Sequence, residues 1–78
     1  MYAIVCKSDG FPICRQVPGV SPHPVVTWNT QAAANAFIAG KNGTAEFQPV
    51  ALTDDAMDAI AKAMGCAVAA VTFEPYPG

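Results

Sequence analysis

Four side chains of the kinds that bind zinc or carry redox chemistry are scattered along this sequence. They are the three cysteines, Cys6, Cys14 and Cys66, and the single histidine, His23. Zinc ligands usually come in closely spaced pairs on a tight turn, and no two of these residues have that spacing. The sequence therefore predicts three reduced, buried thiols, with no metal and no cofactor.

The register of a predicted hairpin decides whether Cys6 and Cys14 can meet. A two-residue Asp9-Gly10 turn places these cysteines on opposite faces of the hairpin, and a three-residue loop from 8 to 10 places them on one face. If a zinc or redox site does form, Cys66 with Cys6 is the best pair.

Two further residues are candidates for binding a small molecule. His23 lies between two prolines in the loop 18–24, where a stiff backbone would hold a ring that can bind a ligand or donate a proton. Trp28 either packs inside the fold, as a staple against Ala33, or anchors an interface. The sequence fixes no serine, cysteine or carboxylate beside His23, so we assign no catalytic residue.

Three carboxylates, Asp54, Asp55 and Asp58, lie close together in the sequence. A magnesium site uses one or two such carboxylates together with a phosphate. The sequence has no glycine-rich loop of the kind that binds phosphate. We therefore interpret these residues as acidic groups that complement the N-terminus of a helix capped by Thr53.

The elements that must position these residues follow from β-branched runs, caps and helical spacing. A strand at 25–28 leads into a helix capped by Asn29 or Thr30 and ended by a left-handed Gly40. A second helix is predicted to end at Gly65. The other strands are predicted at 2–6, 11–17, 46–52 and 67–73, with a loose tail at 74–78.

The element order is β-β-β-α-β-α-β, in which two strand–helix–strand units overlap. Parallel strands with right-handed crossovers predict a mixed sheet of four to five strands with both helices on one face. The predicted architecture is an α+β two-layer sandwich, formed as a single domain by residues 1–78. The strand at 11–17 is expected at an edge because it contains Pro12. The opposite sheet face is expected to lack a helix.

Composition and charge exclude several classes of partner. The chain is 53% hydrophobic and 13% charged, where ordinary domains have about 25% charged residues. Its net charge is −2, and its four basic residues are scattered, so nucleic acid is not an expected partner. The apolar run at 65–73 is too short to span a bilayer, and no signal peptide is visible. We expect a cytoplasmic protein.

These observations favour a binding module over an enzyme. The first hypothesis is a small non-enzymatic domain that acts through protein–protein contact, with a homodimer formed through the uncovered sheet face. The alternative is a small-molecule-binding or metal-binding domain, either purely binding or also catalytic. Its pocket would lie near His23, Trp28 and the cysteines.

Overall fold

The computed structural model describes residues 1–77. These residues form β1 (Tyr2–Cys6), β2 (Val25–Trp28), α1 (Gln31–Gly40), β3 (Phe47–Ala51), α2 (Asp54–Met64), a short 3-10 helix (Val68–Ala70) and β4 (Phe73–Pro75). The sheet order is β3-β1-β2-β4; β2 and β4 pair in parallel, and the other neighbours pair antiparallel. The predicted class, a mixed sheet with two helices, is confirmed. Within the described part of the chain, no helix is long and apolar enough to cross a membrane.

The two helices pack on opposite faces of the sheet, which corrects the prediction that both lie on one face. Side chains of β1 alternate between the faces. Ile4 packs in a cluster with Ala34 and Ile38 of α1, and Val5 packs in a second cluster with Ile60 of α2. Each face therefore has its own helix and its own core, so the architecture has three layers rather than two.

The direction of the two crossovers explains this arrangement. β2, β3 and β4 run parallel to one another because β1 is antiparallel to both β2 and β3, and β4 is parallel to β2. From β2 to β3 the chain steps one way across β1, and from β3 to β4 it steps back across the sheet. Right-handed crossovers that step in opposite directions place their helices on opposite faces.

The predicted edge strand at 11–17 is wrong. This segment runs between β1 and β2 and is joined to each by one isolated bridge, at Pro12 to β1 and at Cys14 to β2. The Ile13 N–H donates to a β1 carbonyl at 2.9 Å, and the Ile13 carbonyl accepts an N–H from β2 at 3.0 Å. The segment fills the gap that opens where β1 and β2 diverge.

Both edge strands carry a proline whose backbone points away from the sheet. In β3, the neighbouring Leu52 N–H donates to the Met1 carbonyl, so every second position faces β1 and Pro49 faces outward. In β4, the Tyr76 N–H donates to β2, so Pro75 also faces outward. Because proline has no N–H to offer, neither edge can extend the sheet through a regular ladder.

Both ends of α1 were predicted to within one residue, but the left-handed residue that follows the helix was not. The Thr30 hydroxyl accepts the Ala33 N–H at 3.1 Å, so Thr30 rather than Asn29 is the N-cap. The left-handed termination at Gly40 is wrong, because α1 continues through Gly40. The left-handed residue is Asn42, with φ of 54°. An Asn can adopt this conformation at a lower cost than most residues.

Both ends of α2 agree with the prediction. Thr53 accepts the Ala56 N–H at 3.1 Å, and Gly65 ends the helix with φ of 76°. The strand predicted at 67–73 is wrong: its first part forms the 3-10 helix, and β4 starts at Phe73. β4 is an edge strand, although a run that is apolar on both faces, such as 67–73, favours a central position.

Candidate functional site

A cleft of about 380 Å³ lies where the loop 18–24 meets the segment after β1 and the end of α2. Small-molecule sites usually measure about 300–1,000 Å³. We call this feature the His23 cleft. Its four apolar lining residues are Phe11, Pro12, Pro22 and Met64, and its four polar lining residues are Cys14, Gln16, Ser21 and His23.

The loop that carries His23 is organised around the backbone of Val17. The Val20 N–H donates to the Val17 carbonyl at 3.2 Å, and Gly19 has φ of 79°. With Pro18 before Gly19, this is the arrangement of a type II turn, which requires positive φ at its third residue. The Val17 N–H in turn donates to Nδ1 of His23 at 3.2 Å. The sequence-based prediction of a stiff loop agrees with this geometry.

The hydrogen bond from Val17 selects the tautomer of the neutral His23 ring. Nδ1 can accept a hydrogen bond only when it carries no proton, so the proton of the neutral ring is on Nε2. The Nε2–H group is therefore the donor that His23 can offer to a ligand in the cleft.

Cys14 is a lining residue of the cleft and not an activated nucleophile. Its side chain packs against the buried cluster on the α2 face, and its Sγ donates to the Pro12 carbonyl at 3.6 Å. Burial raises the pKa of the Cys14 thiol above its ordinary value. Because the thiolate is the reactive form, this environment disfavours nucleophilic catalysis.

The Cys14 thiol is expected to be alkylated several-fold more slowly by iodoacetamide in the native protein at neutral pH than in the unfolded protein. The reason is that its raised pKa keeps it protonated, so the native rate should increase as pH rises toward the pKa. Mass spectrometry of the peptide that contains Cys14 measures both rates, and a Cys14→Ser variant controls for labelling of the other cysteines. Equal rates in the native and unfolded states would contradict this assignment.

The other predicted site residues do not join His23 and Cys14 in the cleft. Cys6 falls on the α1 face by strand alternation. Cys66 follows α2 and lines a separate cavity. Trp28 also belongs to the α1 face. Of the residues predicted to surround one pocket, only His23 and Cys14 line the same cleft.

The length of the hairpin turn accounts for the separation of Cys6 from Cys14. The Cys6 N–H donates to the Phe11 carbonyl at 2.9 Å, so the turn spans residues 7–10 and neither of the predicted shorter turns is correct. The three cysteines are free thiols. Among residues 1–77, no group of three or more His, Cys, Asp or Glu side chains is placed to hold a metal ion.

The acidic residues near the start of α2 lie away from the His23 cleft. Asp54 and Asp55 occupy the first turn of the helix, as predicted. Asp55 and Asp58 line the same cavity as Lys62 and Cys66. All three carboxylates are exposed, which fits their interpretation as groups that complement the helix N-terminus.

Trp28 is part of an aromatic cluster that the sequence did not reveal. Its ring centroid lies 5.0 Å from that of Phe37 and 5.4 Å from that of Tyr76, and Phe37 and Tyr76 are 5.2 Å apart. Trp28 is 6% exposed. The predicted loose tail is wrong at Tyr76, whose N–H donates to the Thr27 carbonyl at 2.8 Å. Gly78 lies outside the described residues.

Sequence reasoning did not identify Phe11 and Met64 as residues of the cleft. The sequence pattern places Phe11 in the predicted strand at 11–17 and Met64 in the second predicted helix. Phe11 is 45% exposed and lines the cleft beside Pro12. An aromatic residue between a glycine turn and a proline was the available signal, because neither neighbour continues a regular ladder.

Comparison of the chain with protein-family models, with curated proteins and with solved structures gives no match. The residues and geometry of the His23 cleft are therefore the basis for a function.

Proposed function

We propose that this chain is a small non-enzymatic binding module, and that the His23 cleft binds an uncharged, partly apolar group that carries a hydrogen-bond acceptor. One observation carries the proposal. Nδ1 of His23 accepts from Val17, so the neutral ring has a single N–H donor to offer, and this donor belongs to a residue of a cleft with apolar walls.

The lining residues define the chemistry of the occupant. The polar ones are a thiol, an amide, a hydroxyl and an imidazole, and none of the cleft residues within 1–77 is an acid, a lysine or an arginine. A charged ligand would lose its hydration without gaining an ion pair. A ring that carries an amide or a ketone would bury apolar area and accept the hydrogen bond from His23.

Such a group could belong to a free small molecule or to a side chain of a protein partner. Benzamide is a suitable probe because it joins a neutral ring to an amide carbonyl. We expect benzamide to shift the backbone amide NMR signals of Cys14, Gln16 and His23. His23→Asn should weaken its binding about threefold to tenfold, the effect of losing one neutral hydrogen bond worth about 0.5–1.5 kcal/mol.

His23→Asn is a matched variant because its side-chain oxygen stands at the δ position and can still accept from Val17. It removes the ε donor while preserving the loop. Toluene is the matched probe, since it has the ring and no acceptor, and it should bind equally to both proteins. If benzamide shifts no cleft amide, or binds His23→Asn as tightly as the original protein, the proposal is wrong.

A protein–protein contact at the same cleft is the second candidate, with a second copy of the chain as the partner. It no longer rests on a bare sheet face, because α2 covers that face. It rests on exposed apolar side chains, including Phe11 and Val20, both 45% exposed. A standard interface would cover about 800 Å² of each copy, roughly a sixth of the 4797 Å² surface.

Light scattering distinguishes the two sources of the ligand group. A homodimer would give twice the 8.1 kDa mass of the chain, and Phe11→Asp should return it to a monomer if the cleft is the interface. A monomeric mass at high protein concentration would exclude the second copy and leave a small molecule or a different protein as the occupant.

The proposal also includes a cytoplasmic location and no nucleic-acid partner. Three free thiols are consistent with a reducing compartment. The four basic residues are scattered along the chain, whereas nucleic-acid binding uses clustered positive charge. Labelling of all three thiols in protein freshly isolated from its source would test the first point.

A further inference from the structure

We propose that His23 is a pH-sensitive latch, in which the neutral ring closes the loop from 17 to 23 and protonation of the ring releases it. The effect of this latch on ligand binding rests on the proposed function of the cleft. The latch itself does not, because it is a contact between Val17 and His23 within the chain.

The latch depends on the direction of one hydrogen bond. The Val17 N–H donates to Nδ1 of His23 across 3.2 Å. Once Nδ1 is protonated it becomes a donor, so two N–H groups would face each other at the same distance. The ring must then rotate or the loop must move.

The residues that line the cleft with His23 carry no compensating charge. The segment after β1 provides the Cys14 thiol, the loop provides the uncharged Ser21 and Pro22, and α2 provides Met64. Three charged residues of α2, Asp55, Asp58 and Lys62, line a different cavity.

Two other sources of charge, Arg15 and the C-terminal end of α2, are already engaged in contacts within the fold. Arg15 pairs with Glu74, with Nε and Oε2 3.0 Å apart. The C-terminal end of α2 carries a partial negative charge that would favour an imidazolium. Two of its final carbonyls, of Ala61 and Lys62, accept N–H groups from Cys66 and Gly65. Among the described residues that line the cleft, none is a carboxylate that could hold a protonated His23 in place. The nearby Asp9 accepts the Phe11 N–H at 2.9 Å.

The loop has one backbone hydrogen bond outside the latch and one inside it, so release of the latch should be local. The Arg15 N–H donates to the Pro24 carbonyl at 2.8 Å, and the turn from Val17 to Val20 has its own hydrogen bond. Neither bond involves a side chain that titrates. Loss of the contact between Val17 and His23 therefore reorients the ring and the residues beside it, which line the cleft, without unfolding the sheet.

An NMR titration of the ¹⁵N-labelled chain from neutral to acidic pH tests the latch. We expect the Val17 amide signal to follow the protonation of the His23 ring with the same midpoint. In His23→Asn, which keeps a δ acceptor that acid does not protonate, the Val17 signal should stay constant. Benzamide affinity should decrease several-fold on acidification in the original protein and remain constant in His23→Asn.

The outcomes separate this proposal from the function of the cleft. A Val17 signal that stays constant while the His23 ring titrates would overturn the latch, whatever benzamide does. A Val17 signal that follows the ring supports the latch even if benzamide fails to bind at neutral pH, and that failure would count against the proposed function alone. An equal Val17 titration in His23→Asn would overturn the latch, because the ring would not be its cause.

Discussion

Replacement of Ile4 with alanine is expected to lower the free energy of unfolding by about 2–5 kcal/mol. Ile4 is 0% exposed in β1 and packs with Ala34 and Ile38 of α1, so the truncation leaves a cavity that the backbone of a central strand cannot close. Small domains have a total stability of only about 5–15 kcal/mol. Urea denaturation followed by far-UV circular dichroism measures the loss.

Ile60 provides the matched test on the opposite face, where it packs with Val5 and Val25. Ile4→Val and Ile60→Val should each cost about 0.5–1.5 kcal/mol. Because the two residues belong to separate clusters, the double variant should equal their sum to within about 0.5 kcal/mol. A larger coupling would mean that both helices contribute to one core, which would contradict the three-layer arrangement.

The class of fold and most helix ends could be predicted because they depend on local chemistry. Thr53 and Gly65 bound α2 through interactions within one turn of the chain, as predicted. Strand order depends on which strands meet, and periodicity carries no information about that. The prediction assumed that both crossovers step in one direction, and the observed reversal moved α2 to the other face.

Pro12 lies at an isolated bridge and not in the edge strand that its proline ring predicted. Proline cannot donate to a ladder, so an edge position was predicted. The bridge at Pro12 uses the Phe11 carbonyl and the Ile13 N–H, which bond to β1 at 2.9 Å each. The Pro12 nitrogen is not needed there, and Pro12 is buried between strands. An isolated bridge tolerates a residue that a continuous ladder would reject.

The candidate site was predicted in part. The prolines and Gly19 indicated a stiff loop around His23, and the structure brings Cys14 beside it. The contact between His23 and Val17 spans six residues and depends on the turn between them. The residue types alone therefore could not predict this hydrogen bond. The excess of apolar residues was assigned to a bare sheet face. It is found instead as individual exposed side chains, among them Met1, Phe11 and Val20.

Replacement of Trp28 with alanine is expected to cost about 3–5 kcal/mol of unfolding free energy, the range for truncating a buried large aromatic residue. Trp28 is 6% exposed on β2 and contacts both Phe37 and Tyr76. In a domain of this size, the variant should be partly unfolded without denaturant. Far-UV circular dichroism is the measurement, because the only tryptophan fluorophore is removed.

Tyr76 separates a packing role for Trp28 from a role as an interface anchor. Its ring stacks on Trp28 with an interplanar angle of 23°, so Tyr76→Ala should expose the indole and shift its fluorescence emission to longer wavelength. Tyr76→Phe keeps the ring and should leave the emission unchanged. Aromatic pairs contribute about 0.5–1.5 kcal/mol beyond their buried area, so Tyr76→Ala should also lower stability. An interface anchor would behave differently: Trp28→Ala would then leave the stability of the monomer intact and weaken only its association with a partner.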